Sequence, residues 1–437
     1  MTSKTVERDG MLSISPSPKE PEAASACYSP ADRSVLETSF ASNGSKAPRE
    51  RSIGAVVIGG DYQGLGIIRS LGRRRIPVYV VDDELSIGRF SRFTTRAVKV
   101  RDLRDPDQTV ETLMQTGRRY GLEGWVLFPT REETVAALSR NRSLLSKLFR
   151  VPTADWNAVR WAWDKRNTYQ LAGRLGVPIP RTSYPRDLDD LAAVQGNPPF
   201  VVKPAIKEDF LNATKVKAWR ADSREELRAR FQQAAALVGP GQVLIQELVP
   251  GDGRSQFACC AFVQHGTMVA TMIARRRRQH PPEFGRASTF VETVDVPPLE
   301  ESSARLFGAI DYHGLAELEY KLDPRDGQFK LLDFNARTWG YHTLGLAAGI
   351  DFPYLQFADQ IGEAVAWCRA RPGTRWIRLV TDLPAALAEI QAGRFRARPY
   401  LRSLATAHVE AVISREDPLP GLVEIALIPY LAFRRGF

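Results

Sequence analysis

Scarcity of two residue types excludes several chemistries at the outset. The chain has only four cysteines, Cys27, Cys259, Cys260 and Cys368, and five histidines. No CxxC, His-x-His or HExxH spacing occurs, and Cys259 and Cys260 sit side by side in the apolar run 257–263. Neither a zinc site nor a disulfide framework is implied, so a reducing cytoplasm is the expected location. The histidines are assigned structural or solvated roles. No apolar run approaches the roughly 20 residues that span a bilayer. Residues 1–10 are polar with no apolar core behind them, so no secretory signal is expected.

What is present is ordinary in amount and uneven in placement. The 437 residues suffice for two or three domains with substantial cores. A hydrophobic share of 43% and a charged share of 25% suit a globular protein. The net charge of +10 favours anionic partners: nucleotides, acidic metabolites, nucleic acid or a membrane surface. Residues 1–50 are rich in Ser, Pro, Ala, Glu and Lys and poor in large apolar side chains. Such a segment cannot bury enough surface to offset its ordering entropy, and a disordered tail is expected.

Order begins at Gly-Ala-Val-Val-Ile-Gly-Gly, residues 54–60, a buried parallel-type strand ending in a glycine turn. A helix over 64–72 and a second strand over 77–81 follow, ending in Asp82 and Asp83. This outlines a dinucleotide-binding fingerprint, and a nicotinamide-dependent enzyme is one reading. The glycine spacing is GGxxxGxG, however, not GxGxxG. A later strand over 125–128 leads into Pro129 and Thr130, with Thr130 expected as a helix N-cap. The loop 130–133 is also open to substrate contact.

The most informative stretch is residues 314–340. Apolar strand 329–332 delivers Asp333, Asn335 and Arg337 at alternate positions, hence on one face. Upstream, Glu317 and Glu319 alternate likewise, and Asp-Pro and Asp-Gly turn dipeptides lie between the two strands. The pair reads as a β-hairpin with aligned carboxylates. Facing carboxylates repel unless a cation joins them. Oxygen ligands suit Mg²⁺, which shares its shell with substrate phosphates, and a guanidinium forks onto phosphate oxygens. A solvated acidic face is the alternative.

The run ELEYKLDPRDGQFKLLDFNARTWG, residues 317–340, resembles the metal-binding hairpin of the ATP-grasp superfamily, nearest its carboxylate–amine ligase branch. Relatives of that branch usually read Glu-x-Asn-Pro-Arg where this chain has Asp333-Phe-Asn335-Ala336-Arg337. The resemblance spans about residues 54–365, with specific motifs from 164 onward. It implies an α/β fold, α+β in the ATP-binding part. The implied layout is a disordered tail at 1–50, a Rossmann-like pre-ATP-grasp domain at 51–150, and an ATP-grasp domain at 151–365. The latter comprises two α+β subdomains, with a lid at about 181–250, and an extension follows at 366–437.

The resemblance also implies site roles. Glu319, Asp333 and Asn335 would hold Mg²⁺, with Mn²⁺ as a substitute. Lys165, in one helix that Trp161-Ala-Trp-Asp-Lys165 opens and that runs to about Leu175, and Lys203, fixed before Pro204, would reach the ATP phosphates. Backbone groups of Glu247, Leu248 and Val249 would meet adenine. Lys207, Lys215 and Lys217 follow in a glycine-free loop where relatives carry a lid. Arg276 and Arg278, which alternation places on one face, would join Arg337 in neutralising an acyl phosphate. The implied reaction couples a small carboxylic acid to an amine, giving an amide, ADP and phosphate. No nucleic acid is expected, since no base-stacking aromatics interleave the arginines. A homodimer is a family-level expectation. A catalytically weak or inactive ATP-binding protein remains the other reading of the altered hairpin.

A helix is expected over 383–392, with Asp382 as N-cap. The apolar, basic end at 421–437 is read either as packing on the core or as a contact with a membrane surface or protein partner.

Overall fold

Three sheets carry the chain. The computed structural model describes residues 52–281, 284, 285 and 287–430. The tail at 1–50 and the last seven residues of the C-terminal segment lie outside the described residues. The first sheet is all parallel: β1 (Ala55–Ile58), β2 (Val78–Asp82), β3 (Thr94–Lys99) and β4 (Val126–Pro129), in the order β3-β2-β1-β4. Every residue of β1 and β4 is buried, as parallel strands covered on both faces require. Helix Tyr62–Arg73 makes the first crossover.

The second sheet is small and antiparallel: β5 (Thr182–Ser183), β6 (Phe200–Pro204), β7 (Trp219–Ala221) and β8 (Val243–Glu247), ordered β5-β8-β6-β7. Helix Arg224–Val238 covers it with Leu227, Phe231 and Ala234.

The third sheet has eight strands. Its path runs β13 (Phe329–Asn335), β12 (Gly314–Leu322), β9 (Gln256–Gln264), β10 (Thr267–His280), β11 (Ala287–Thr293), then β15 (Arg375–Ile377) and β16 (Val409–Glu410), while β14 (Cys368–Arg369) pairs with β10. Residues beyond 366 thus supply three of its strands and do not trail from it. Asp417 fastens this segment to the first domain through Arg69, at 3.0 Å. Cys259 and Cys260 are buried thiols. Cys368 is fully buried in β14.

Several local expectations are revised. Trp156–Trp163 and Lys165–Arg174 are two helices, not one, because the Asp164 side chain caps the second by accepting from the Arg166 amide. The glycine-free stretch after Lys203 is not a loop. It forms helix Lys207–Thr214, with Glu208 and Asp209 in the first turn where the helix dipole favours acids. Thr130 does not cap a helix: its hydroxyl donates to the Ile58 carbonyl at 2.9 Å. Nor does Asp382, which lies inside helix Leu379–Gln391.

Candidate active site

The turn dipeptides between β12 and β13 close an antiparallel pair in which Glu319 faces Asp333 and Glu317 faces Asn335. These cross-strand neighbours line or border a cavity of about 190 Å³, into which Lys207, Lys217, Arg276 and Arg337 also reach. Around the hairpin Asp333, Glu319 and Asn335 each meet a cation. Lys165 Nζ lies 2.5 Å from Asp333 Oδ1, Arg276 Nη2 lies 3.3 Å from Glu319, and Lys207 Nζ lies 3.4 Å from Asn335 Oδ1. The Asn335 amide donates to both Glu317 and Glu319, at 3.0 and 3.1 Å.

The electrostatics divide the carboxylates. Burial works to raise Asp333, but Lys165 and Lys207 outweigh it and hold the group far below the usual range. Burial likewise opposes ionisation of Glu319, and Lys217 and Arg276 prevail. Glu317 goes the other way: burial, and then the Glu319 charge, push it up to about 7. Its Oε1 accepts a hydrogen bond from the Tyr341 hydroxyl at 2.5 Å. The ionised Glu319 and the Asn335 carboxamide thus line the cavity, and the ionised Asp333 stands beside them across the hairpin. Among the described residues no three Asp, Glu, His or Cys side chains form a ready-made metal cage. The donors are all oxygens, and Lys and Arg cations already stand against them. That set suits a hard divalent ion which takes its remaining ligands from phosphate and water.

Lys203 is buried at the end of β6 and donates to the Tyr169 hydroxyl at 2.6 Å, beside Lys165 and Asp333. Burial pulls its pKa down to about 8. Glu247, Leu248 and Val249 lie at the far end of the same strand group. The Glu247 and Leu248 amides donate to the Arg181 and Pro199 carbonyls, and the Val249 carbonyl accepts from Lys321. The Glu247 carboxylate pairs with Arg325 at 3.0 Å. Those backbone groups are thus engaged within the protein.

Arg276 and Arg278 do not share a face. The pairing of β10 with β11 shifts between them: Arg276 opposes Val291 and Arg278 opposes Phe290, leaving one extra residue in β10. This β-bulge breaks the alternation. Arg276 reaches the hairpin, while Arg278 turns outward to Asp382, at 2.7 Å, and to Ser403.

One residue of the site falls within the loop 130–133, which the sequence leaves open to substrate contact without marking the residue itself. Glu132, just past the carboxyl end of β4, is buried and accepts from Lys207 Nζ at 3.1 Å and from Arg337 Nε at 2.8 Å. A usable signal existed, because ligands of open parallel sheets gather outside the carboxyl ends of the strands. Tyr62 and Gln63, beyond the end of β1, line the same cavity.

No family model matches the chain. It is 24% identical over 299 residues to the D-aspartate ligase of Enterococcus faecium, covering 64% of this chain and 70% of that protein. The L-amino acid ligase from Bacillus licheniformis superposes with a TM-score of 0.55 at 17% identity, over 75% of this chain and 79% of that one. The biotin carboxylase domain of Hydrogenobacter thermophilus 2-oxoglutarate carboxylase, crystallised with MgADP and bicarbonate, gives 0.60 at 15%, over 74% of each. This chain has the ATP-grasp fold. Within that fold Lys165, at the start of helix Lys165–Arg174, pairs with Asp333 of the β12–β13 hairpin.

The glycine turn of the first sheet is closed to a dinucleotide. The Gly60 amide donates to Asp82 at 2.6 Å, and Arg131 bridges Asp82 and Asp83. The Asp61 carboxylate caps the helix where a pyrophosphate would need to lie.

Two tests follow from these placements. Arg278→Ala leaves the buried Asp382 without its partner and should destabilise the fold by about 3 kcal/mol while sparing nucleotide binding. Chemical denaturation alongside nucleotide titration separates the two effects. Lys203→Met should raise stability at pH 7. The wild-type folded state holds a lysine whose pKa, about 8, lies below its ordinary 10.5, so the unfolded chain binds more protons between those values. The penalty is full below pH 8 and fades as pH rises, so the variant's advantage in melting temperature should narrow between pH 8 and 9.5.

Proposed function

We propose that the chain is an ATP- and Mg²⁺-dependent carboxylate–amine ligase that forms an amide through an acyl phosphate and releases ADP and phosphate. The carrying observation is the hairpin that sets Glu319 against Asp333 beside a cavity to which Lys207, Lys217, Arg276 and Arg337 all contribute. Two ionised carboxylates beside Lys207, Lys217, Arg276 and Arg337 suit a polyphosphate with its divalent ion. They do not suit an uncharged substrate.

Glu319, Asp333 and Asn335 would hold Mg²⁺, which when bound screens phosphate charge; Mn²⁺ meets the same oxygen donors. Lys165 and Lys203 lie on the Asp333 side of the cleft, and a phosphate there would offset the cost of burying the Lys203 ammonium. Arg337, held by Glu132, and Arg276 both line the cavity and stabilise the negative charge of the transferring phosphoryl group. A substrate carboxylate oxygen attacks the γ-phosphorus as the bond to ADP breaks. The amine nitrogen then attacks the acyl carbon, phosphate leaves, and the amine proton passes to solvent. No side-chain nucleophile takes part, and the contribution of the protein is positioning and charge. The D-aspartate and L-amino acid ligases it resembles point to an amino acid as one substrate. The adenine site at 247–249 is part of the proposal, with approach to the carbonyl of Leu248 and the apolar faces beside it.

A melting-temperature comparison tests the reading. MgATP should stabilise the protein by mass action, and ATP with EDTA should do so much less. Asp333→Asn should abolish most of the difference between those two conditions. Equal stabilisation of wild type and variant by MgATP would remove Asp333 from the metal site.

A further inference from the structure

The C-terminal helices are built inside out. Helix Leu379–Gln391 buries Asp382 completely, yet Leu383, Pro384, Leu387 and Ala388 face outward. Helix Leu419–Ala426 buries Glu424 at 1% exposure, bonded to Arg378 at 2.8 Å, while Leu422 is 64% exposed and Leu419 and Ile425 flank it. Between them helix Ala397–Ala405 turns Tyr400 and Ser403 toward Arg278 and presents Arg398, Leu401, Arg402 and Ala405, one face by spacing, outward. Leu401 is 62% exposed. Eight of the thirteen exposed large hydrophobic side chains among the described residues fall between 383 and 428. Scattered exposed leucines need no explanation, but a concentrated set does.

Charge selects the occupant. Residues 390–409 contain four arginines and no acid. Arg394 pairs with Glu389, whereas Arg396, Arg398 and Arg402 are exposed and have no ion-pair partner among the described residues. The sequence continues past the last described helix with Leu-Ala-Phe-Arg-Arg-Gly-Phe, apolar and basic again. A second copy would set arginines against arginines. The N-terminal tail carries both signs and little apolar surface. Leucines beside unpaired arginines match the boundary of an anionic bilayer, where apolar side chains enter the acyl edge and arginines meet headgroup phosphates. No helix among the described residues is long and apolar enough to cross a membrane, so the contact is lateral.

We propose that the outer faces of helices Leu379–Gln391, Ala397–Ala405 and Leu419–Ala426 dock the protein on an anionic lipid surface. The buried anchors Asp382 and Glu424 keep those faces turned outward. Co-sedimentation of the full chain tests this, with vesicles of phosphatidylcholine alone and of phosphatidylcholine mixed with phosphatidylglycerol. The protein should pellet with the mixed vesicles only, and added salt should weaken the binding. Arg398→Glu with Arg402→Glu should lower the bound fraction about tenfold. Leu422→Ser with Ile425→Ser, on another helix, should lower it comparably, with melting temperature and MgATP stabilisation unchanged in both variants. Absence of pelleting with either vesicle would overturn the proposal. So would a dimer in light scattering that the leucine and isoleucine substitutions split, which would assign the face to a second copy.

Discussion

The fold depends on neutralising two opposed carboxylates. Glu319 and Asp333 are direct cross-strand neighbours, an arrangement that is repulsive by itself. It persists because cations from separate parts of the chain converge on it. Lys165 comes from a helix start, Lys207 from the helix after β6, and Arg276 from the long strand β10, one strand removed from the hairpin. Glu132, from the first sheet, then balances Lys207 and Arg337. All three sheets are thus tied to one charge cluster. Removing a single member would strand a buried charge, which is the costly way to break such a network.

The bulge in β10 has consequences on both sides of the sheet. One extra residue sends Arg276 inward to the hairpin and Arg278 outward to Asp382. The inner arginine lines the cavity beside the hairpin. The outer one anchors helices Leu379–Gln391 and Ala397–Ala405. Chemistry and the C-terminal surface therefore share a strand without sharing a face.

Much of the site was legible because it is local. Strand alternation and two turn dipeptides suffice to align Glu317, Glu319, Asp333 and Asn335, and the structure pairs them across adjacent strands. Features set by long-range packing were not legible. Alternation misplaced Arg278, since nothing in Arg-Arg-Arg-Arg marks which residue bulges. Thr130 was read as a helix cap, whereas its hydroxyl serves the carbonyl of a strand 72 positions earlier. Glu132 looks like any acid in a helix's first turn until the distant hairpin brings Arg337 to it. The family resemblance makes the stretch 207–214 a loop, although its lack of glycine and proline is what a helix requires.

The central claim is that the cleft activates a carboxylate by phosphorylation, and hydroxylamine trapping tests it most directly. Hydroxylamine replaces the unknown amine, so a panel of amino acids can be presented as the acid with MgATP. The account predicts that at least one member yields hydroxamate and ADP in equal amounts, and that neither forms without the divalent ion. ADP release with no hydroxamate from any carboxylate, in a protein that binds MgATP, would contradict it.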